Sequence, residues 1–379
     1  MISDEKGLRA AMLATRLAFL AAGFVMACWA PLIPFAKQQV GADEGVFGLL
    51  LLCLGLGAIV AMPLTGYLSA RTGARAMILL GGFGLVAFLP LVVIAPTVWT
   101  LGLALAVFGA ALGTIDVAMN IHAAEVETRA ARPMMSGFHA MWSVGGILGA
   151  GGLTALLSAG LSPLGAALVG SALAGCAMIL AAPRLLRQSG GAKPEFVRPR
   201  GIVLLLAILA AISFLVEGAV LDWGALLIVD QGLMAATGAG IGYMLFSIAM
   251  TIARLTGDWL VAALGRGRIM ILGGLVAMAG IALTLVPGML WPALLGFALI
   301  GLGCANLVPV LFSLAAQSRD MPPGLAVAAV TTTGYAGILL GPALIGFAAD
   351  ATSLAMAFGA LALLMAAFPL AAQRASRIG

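Results

Sequence analysis

The chain is poor in charge. Asp, Glu, Lys and Arg make up 9% of its 379 residues, against about 25% in soluble domains, which leaves too few ions to coat a soluble protein of this length. Histidine is down to two residues and tyrosine to three. The four cysteines, Cys28, Cys53, Cys176 and Cys304, stand singly with no CxxC pair, and His122 and His139 fall in different apolar segments. Disulfide and zinc-ligand patterns are therefore absent, and no metal is expected. A G-x-x-x-x-G-K-[ST] loop is also missing, so nothing points to nucleotide hydrolysis. Without paired catalytic aspartates in adjacent segments, an intramembrane enzyme is not expected either.

Apolar residues are what the chain has in excess, at 63%. A hydrocarbon core of about 30 Å takes about 20 helical residues, and runs of that length recur between short polar breaks. They read as twelve spans, near 13–35, 46–68, 76–95, 98–121, 134–159, 164–182, 202–229, 239–262, 269–286, 290–316, 325–348 and 353–371. Alternating strands of the kind that close into a barrel are not seen. The expected fold class is an all-α integral membrane protein.

If the amino terminus is placed inside, every Lys and Arg except Lys37 gathers on one side. That asymmetry satisfies the positive-inside rule with both termini cytoplasmic and an even number of spans. Under this orientation the net charge of +5 reflects contact with anionic lipid, so no nucleic-acid partner is expected. The first apolar run is a full span without a convincing cleavage site, so it is not expected to be a signal peptide.

The one composition shift, PRLLRQSGGAKPEFVRPR over 183–200, reads as a basic cytoplasmic linker between two six-helix bundles, 1–182 and 201–379. Echoes at a shift of roughly 190 residues support two related halves. Thr65-Gly66 with Arg71, Gly73 and Arg75 is repeated as Thr256-Gly257 with Gly265, Arg266 and Arg268. Gly113 and Asp116 align with Gly303 and Asn306, and Gly145 and Gly149 with Gly337 and Gly341. Related halves place a solute site between them and move by alternating access.

Ionisable groups inside hydrocarbon cost about 2.5–3.5 kcal/mol each on insertion scales. Asp116, His122, His139, Glu217 and Asp222 fall within the spans. Gly109, Gly113, Asp116 and Asn120 share one stripe of span 4, and Ser136, His139, Ser143 and Gly146 one stripe of span 5. At 1.5 Å per residue, Asp116 and His139 both sit roughly 8 Å in from the cytoplasmic end. Two readings follow: an Asp116–His139 pair that takes up and releases a proton, or a static pair that fixes packing. His122 lies off the stripe. Glu217, about 24 Å along span 7, is a candidate for proton or solute binding and suits a cationic or amine-bearing solute. Asp222 is a second candidate there, or a boundary residue beside Trp223. Trp29, Trp142 and Tyr335 either line a cavity or pack helices; Asn306 either contacts solute or bonds helix to helix. Trp99, Trp259 and Trp291 read as boundary anchors.

The loop GYLSARTGAR (66–75), the six-plus-six layout and the basic linker resemble the major facilitator superfamily over essentially the whole chain. In that family the loop motif G-x-L-x-D-R-x-G-R-[KR] carries an Asp that caps a neighbouring helix and locks one conformation. Here Ala70 replaces that Asp and Ala74 the first basic residue after the glycine. The resemblance thus implies a cytoplasmic gate of Gly66, Arg71, Gly73 and Arg75 in the first half and Arg254, Gly257, Asp258 and Arg266 in the second. Asp116-Val-Ala-Met-Asn120 followed by Phe138-His139 is similar to the fucose-permease-like branch. That likeness makes Asp116 the protonatable carboxylate and turns Asn120 and His139 toward solute; Ala30 stands where its sugar-transporting members carry an Asp in helix 1. The combined expectation is a monomeric secondary transporter of the bacterial inner membrane, driven by a proton gradient without a cofactor. Symport of a small organic solute leads, and proton-coupled export of a drug or metabolite is the alternative.

Overall fold

The computed structural model describes residues 2–42, 44–187, 199–234 and 240–375. Lys193 and Arg198 of the expected linker, and Arg377, lie outside the described residues. Long apolar segments give helices, in the order α1 Ile2–Val40, α2 Glu44–Thr72, α3 Ala74–Ile94, α4 Val98–Ala130, α5 Met135–Ser158, α6 Pro163–Ala181, α7 Gly201–Asp230 and α8 Ile241–Leu264. There follow α9 Arg266–Thr284, α10 Leu290–Cys304, α11 Leu307–Gln317, α12 Pro323–Ala351, α13 Leu354–Met365 and α14 Ala367–Ala375. Taking α10 with α11 and α13 with α14, the described residues form 12 helices long and apolar enough to cross a membrane. All-helical construction satisfies the backbone internally, which is what hydrocarbon demands.

Helix boundaries follow local chemistry. Thr97 caps α4 in a capping box with Thr100, Ser162 caps α6 through the Gly165 N–H, and Ser353 caps α13 through the Met356 N–H. Two glycines end α2 and α8 alike: Gly73 has φ 84° and ψ 151°, Gly265 φ 81° and ψ 155°. A side chain is strained in that conformation, so glycine at both places is required by the turn.

The chain divides into two compact units, Met1–Ala131 with Phe138–Val197, and Arg132–Gly137 with Arg198–Gly379. The short stretch Arg132–Gly137, at the start of α5, clusters with the second unit although most of α5 belongs to the first.

Within each unit, helices meet where glycine removes the side chain. In the first, a Cβ on Gly109 of α4 would overlap Leu54 O of α2, and one on Gly145 of α5 would overlap Leu20 O of α1. In the second, Gly301 of α10 stands against Phe246 O of α8, and Gly337 of α12 against Ala211 O of α7. Gly81 and Gly273 close α3 on α4 and α9 on α10 in the same way. The repeat is therefore one of backbone contacts, not only of residue types. It also corrects the alignment of span 4 with span 10 by two residues. Gly109 answers to Gly301, so Asn306 answers to Thr114 rather than to Asp116. Thr114 accepts from Thr65 Oγ1 at 3.3 Å, and Asn306 Oδ1 lies against Gly257; the sequence repeat was read from glycines too evenly spread to separate neighbouring registers.

Gly109→Ala should lower the melting temperature of the purified protein, by about 1–3 kcal/mol of overpacking, because the obstructing atom is a backbone oxygen. Gly146→Ala, with nothing within 4 Å of the added carbon, should be neutral. Thermal unfolding in detergent compares the two, and equal melting temperatures would show that these glycines do not set the packing.

Candidate functional site

In the second unit the site begins with a missing donor. Pro309 has no N–H, so the Ala305 carbonyl four residues earlier loses its helical partner, and the tenth span breaks between Cys304 and Leu307. Arg254 of α8 takes over that carbonyl through Nε at 3.2 Å. Asn306, inside the break, returns the contact by donating Nδ2 to Ala253 O at 3.2 Å. The break is thereby sewn to α8 from both sides.

Arg254 brings a permanent charge into the bundle, and α7 answers it. Glu217 Oε2 lies 3.6 Å from Arg254 Nη2, with the two side chains only 14% and 10% exposed. Ser213, one turn earlier on α7, donates to Glu217 Oε1 at 3.2 Å. Arg254 was expected in the gate loop. It is instead buried in α8, some ten residues or roughly 15 Å before that helix ends. The signal was present, since the span read as 239–262 already contained it; counting arginines by side had assigned it to the surface.

In the first unit, Asp116 is buried on α4. Among the described residues its side chain has no hydrogen-bond or ion-pair partner. Asn120 donates Nδ2 to the Asp116 carbonyl at 2.9 Å, and its own Oδ1 is buried without a partner. The expected Asp116–His139 pair does not form. His139 packs its ring against Phe19 of α1, centroids 5.1 Å apart at 55°. The glycine contacts set α4 against α2 and α5 against α1, so a place on consecutive helices does not bring the two side chains together.

His122 proves to be a structural post. Thr15 Oγ1 donates to Ala11 O at 2.8 Å, so the 3.0 Å contact with His122 Nδ1 takes its proton from the imidazole. Nε2 then accepts from Leu186 N–H at 3.0 Å. This neutral tautomer ties α1, α4 and the start of the linker together.

Residues 16–319 match the profile of the Major Facilitator Superfamily. The chain belongs to that family. An uncharacterised MFS-type transporter of Yersinia pestis is 49% identical over 365 residues, covering 96% of this chain and 95% of that protein. An uncharacterised transporter of Sinorhizobium fredii is 36% identical, covering 90% of this chain and 91% of its own. The solved structure of a variant of the E. coli fucose:proton symporter FucP matches with TM-score 0.76 and 18% identity, over 96% of this chain and 98% of that one; a likeness at that identity shows the fold alone. As a superfamily member the protein is a multi-pass membrane transporter and not an enzyme.

The superfamily loop motif and its echo differ in what they hold. In the first unit Gly66 is buried in α2, Arg71 is exposed, and Arg75 Nε donates to Ala182 O at 3.2 Å. In the second, Arg266 donates to Gln317 Oε1 at 2.8 Å. Asp258 Oδ2 accepts from Gly137 N–H at 3.0 Å, at the first turn of α5 where a carboxylate suits the helix dipole. Gly257 is needed beside it, since an added Cβ would overlap Asn306 Oδ1 and lie 2.6 Å from Ser136 Cβ. Thus Asp258 caps a helix as the motif's Asp was expected to do, while Ala70 in the first unit has no carboxylate to offer.

The aromatic candidates divide. Trp29 is buried in α1 and Trp142 is half-buried on α5, its backbone carbonyl against Gly23 of α1. Tyr335 of α12 is half-buried and edge-on to Phe214, centroids 5.8 Å apart, next to Ser213. Asp222 lies exposed on α7, outside the Glu217 network. Trp99, Trp259 and Trp291 are 87%, 71% and 79% exposed, as boundary anchors would be.

Two outcomes check this geometry. Arg254→Met should destabilise the protein by about 3–5 kcal/mol, since it strands Glu217 in the interior; adding Glu217→Leu should restore much of the loss, whereas additive melting-temperature losses would mean the pair is not coupled. Asp258→Ala should speed amide hydrogen exchange in peptides covering 132–140, and unchanged protection there would refute the cap.

Proposed function

We propose that this transporter is a proton-coupled symporter of a small organic solute, working by alternating access in the bacterial inner membrane as a monomer with both termini in the cytoplasm. The observation that carries the reading is a carboxylate buried in each unit: Asp116, with no side-chain partner among the described residues, and Glu217, held by Arg254 and Ser213. An acid kept inside apolar helices without a fixed counter-charge is suited to carry a proton, because an apolar interior penalises its ionised form and water does not. FucP, which shares this fold, is a fucose:proton symporter, and that supports the proton-coupled reading. The energy source is then the proton gradient, with no bound cofactor.

In this scheme Asp116 is the protonation site of the first unit. Asn120, whose Oδ1 is buried and unsatisfied, is positioned to sense solute or water beside it. Asp258, bonded to the start of α5, forms the cytoplasmic gate with Gly257 and Arg266; losing the Gly137 N–H bond to its carboxylate costs about 1.5–3 kcal/mol, as for a charged acceptor.

A thermal-shift screen of the purified protein over sugars, organic acids, amines and nucleosides identifies a bound solute, since binding to the folded state raises its melting temperature. With that solute in proteoliposomes, an inward pH gradient should drive accumulation and an internal pH dye should report co-entry of protons. Asp116→Asn should bind the solute yet lose gradient-driven accumulation. Undiminished accumulation in Asp116→Asn would sink the assignment, and proton exit during solute entry would establish antiport instead.

A further inference from the structure

The ion pair between Glu217 of α7 and Arg254 of α8 is chemically lopsided. A glutamate can take a proton and become neutral, whereas a guanidinium keeps its charge in proteins. Of the two, only Glu217 can be neutralised, by taking a proton from water. What remains is a fixed cation deep in the bundle, with Nε committed to Ala305 O at 3.2 Å and no retreat to the surface.

The geometry is that of a partner ready to be exchanged. At 3.6 Å the nitrogen–oxygen separation exceeds the about 2.7–2.9 Å of a tight charge-assisted bond. Glu217 is steadied mainly from its own helix, by Ser213 at 3.2 Å. Tyr243 of α8 and Cys304 of α10 also lie within electrostatic reach of Arg254. Neither residue type is negative at neutral pH, so Glu217 supplies the balancing charge. Tyr335 of α12 packs edge-on against Phe214, next to Ser213 on α7.

The sign of the exchange follows. A cationic solute drawn to Glu217 would leave Arg254 facing a second positive charge. An anion loses nothing, because it meets a guanidinium that has just lost its counter-ion. We infer that Arg254 is the anchor for a carboxylate on the transported solute, which takes the place of Glu217 when Glu217 is protonated. This rests on the proton-coupled transport reading and adds the charge class of the solute, in place of the amine-bearing one expected from Glu217 alone. The balance closes: empty, the site holds one carboxylate and one guanidinium; loaded, it holds a neutral Glu217, the guanidinium and the solute carboxylate. One proton and one monocarboxylate enter together, and the net charge of the site is the same in both states.

Chemical rescue tests this without knowing the solute. Glu217→Ala removes the carboxylate facing the guanidinium and opens a space about one carboxylate in size, so propionate should raise the melting temperature of that variant by about 2–4 °C at saturation. Propionamide and ethylammonium at equal ionic strength should not, and adding Arg254→Gln should abolish the effect. Glu217→Gln, which imitates the protonated acid and keeps the packing, should respond to propionate equally at pH 8 and pH 6, whereas the unaltered protein should respond more at pH 6. Equal stabilisation by propionamide or ethylammonium, a response that survives Arg254→Gln, or no response to propionate in either Glu217 variant would overturn the inference. Proton-coupled uptake of a neutral or amine solute alongside failed rescue would refute the carboxylate anchor and leave the transport reading standing; rescue without proton-coupled uptake would do the reverse.

Discussion

The carbonyl of Ala305 needs a donor, and much of the second unit's interior is arranged around supplying one. Pro309 withholds the helical N–H, and hydrocarbon offers no water in its stead. A side chain has to reach across, and Arg254 does so at 3.2 Å. That solution imports a full positive charge, which requires Glu217, which in turn is oriented by Ser213. A proline, a carbonyl, an arginine and an acid on three helices are thus one dependent series. Removing the charge at any point leaves the next member stranded in low dielectric, where an uncompensated ion costs several kcal/mol.

The first unit has the same scaffold and a different interior. Glycine contacts of α4 with α2 and of α5 with α1 recur in α10 with α8 and α12 with α7, so both units hold their helices at backbone contact. On that common frame, the place of Asn306 is taken by Thr114, and the acid falls at Asp116, two residues further on. Among the described residues Asp116 has no arginine to answer it, and Glu217 has one. The loops show a complementary difference, with Asp258 bonded to Gly137 in the second unit and Ala70 at the motif position in the first.

Much of this was legible from the chain itself. Span number and approximate boundaries follow from hydropathy, a local property, and the described helices agree within a few residues except at the ends, where polar residues such as Glu5, Lys37 and Arg129 extend α1 and α4. That Glu217, Asn306 and Asp258 are polar groups within or beside spans was readable from residue type alone. Arg254 was hidden by the habit of reading arginines as topology markers, and His122 by its distance from the stripe. Neither the Thr15 hydroxyl nor the Leu186 N–H that employs that imidazole can be inferred from spacing, since they lie 107 and 64 residues away.

The amino-acid sequence alone determined that this is a twelve-span helical membrane protein built from two related halves with a few costly polar residues inside, because apolar length, charge placement and residue type are all read along one dimension. Tertiary structure decided the partners. Which way a helix turns its polar residue depends on which backbone its glycines touch, and a rotation of one residue, about 100°, separates an acid facing histidine from one facing none. That rotation sent His139 to Phe19, left Asp116 alone, brought Arg254 to Glu217, and moved Asn306 out of register with the residue it had been matched to.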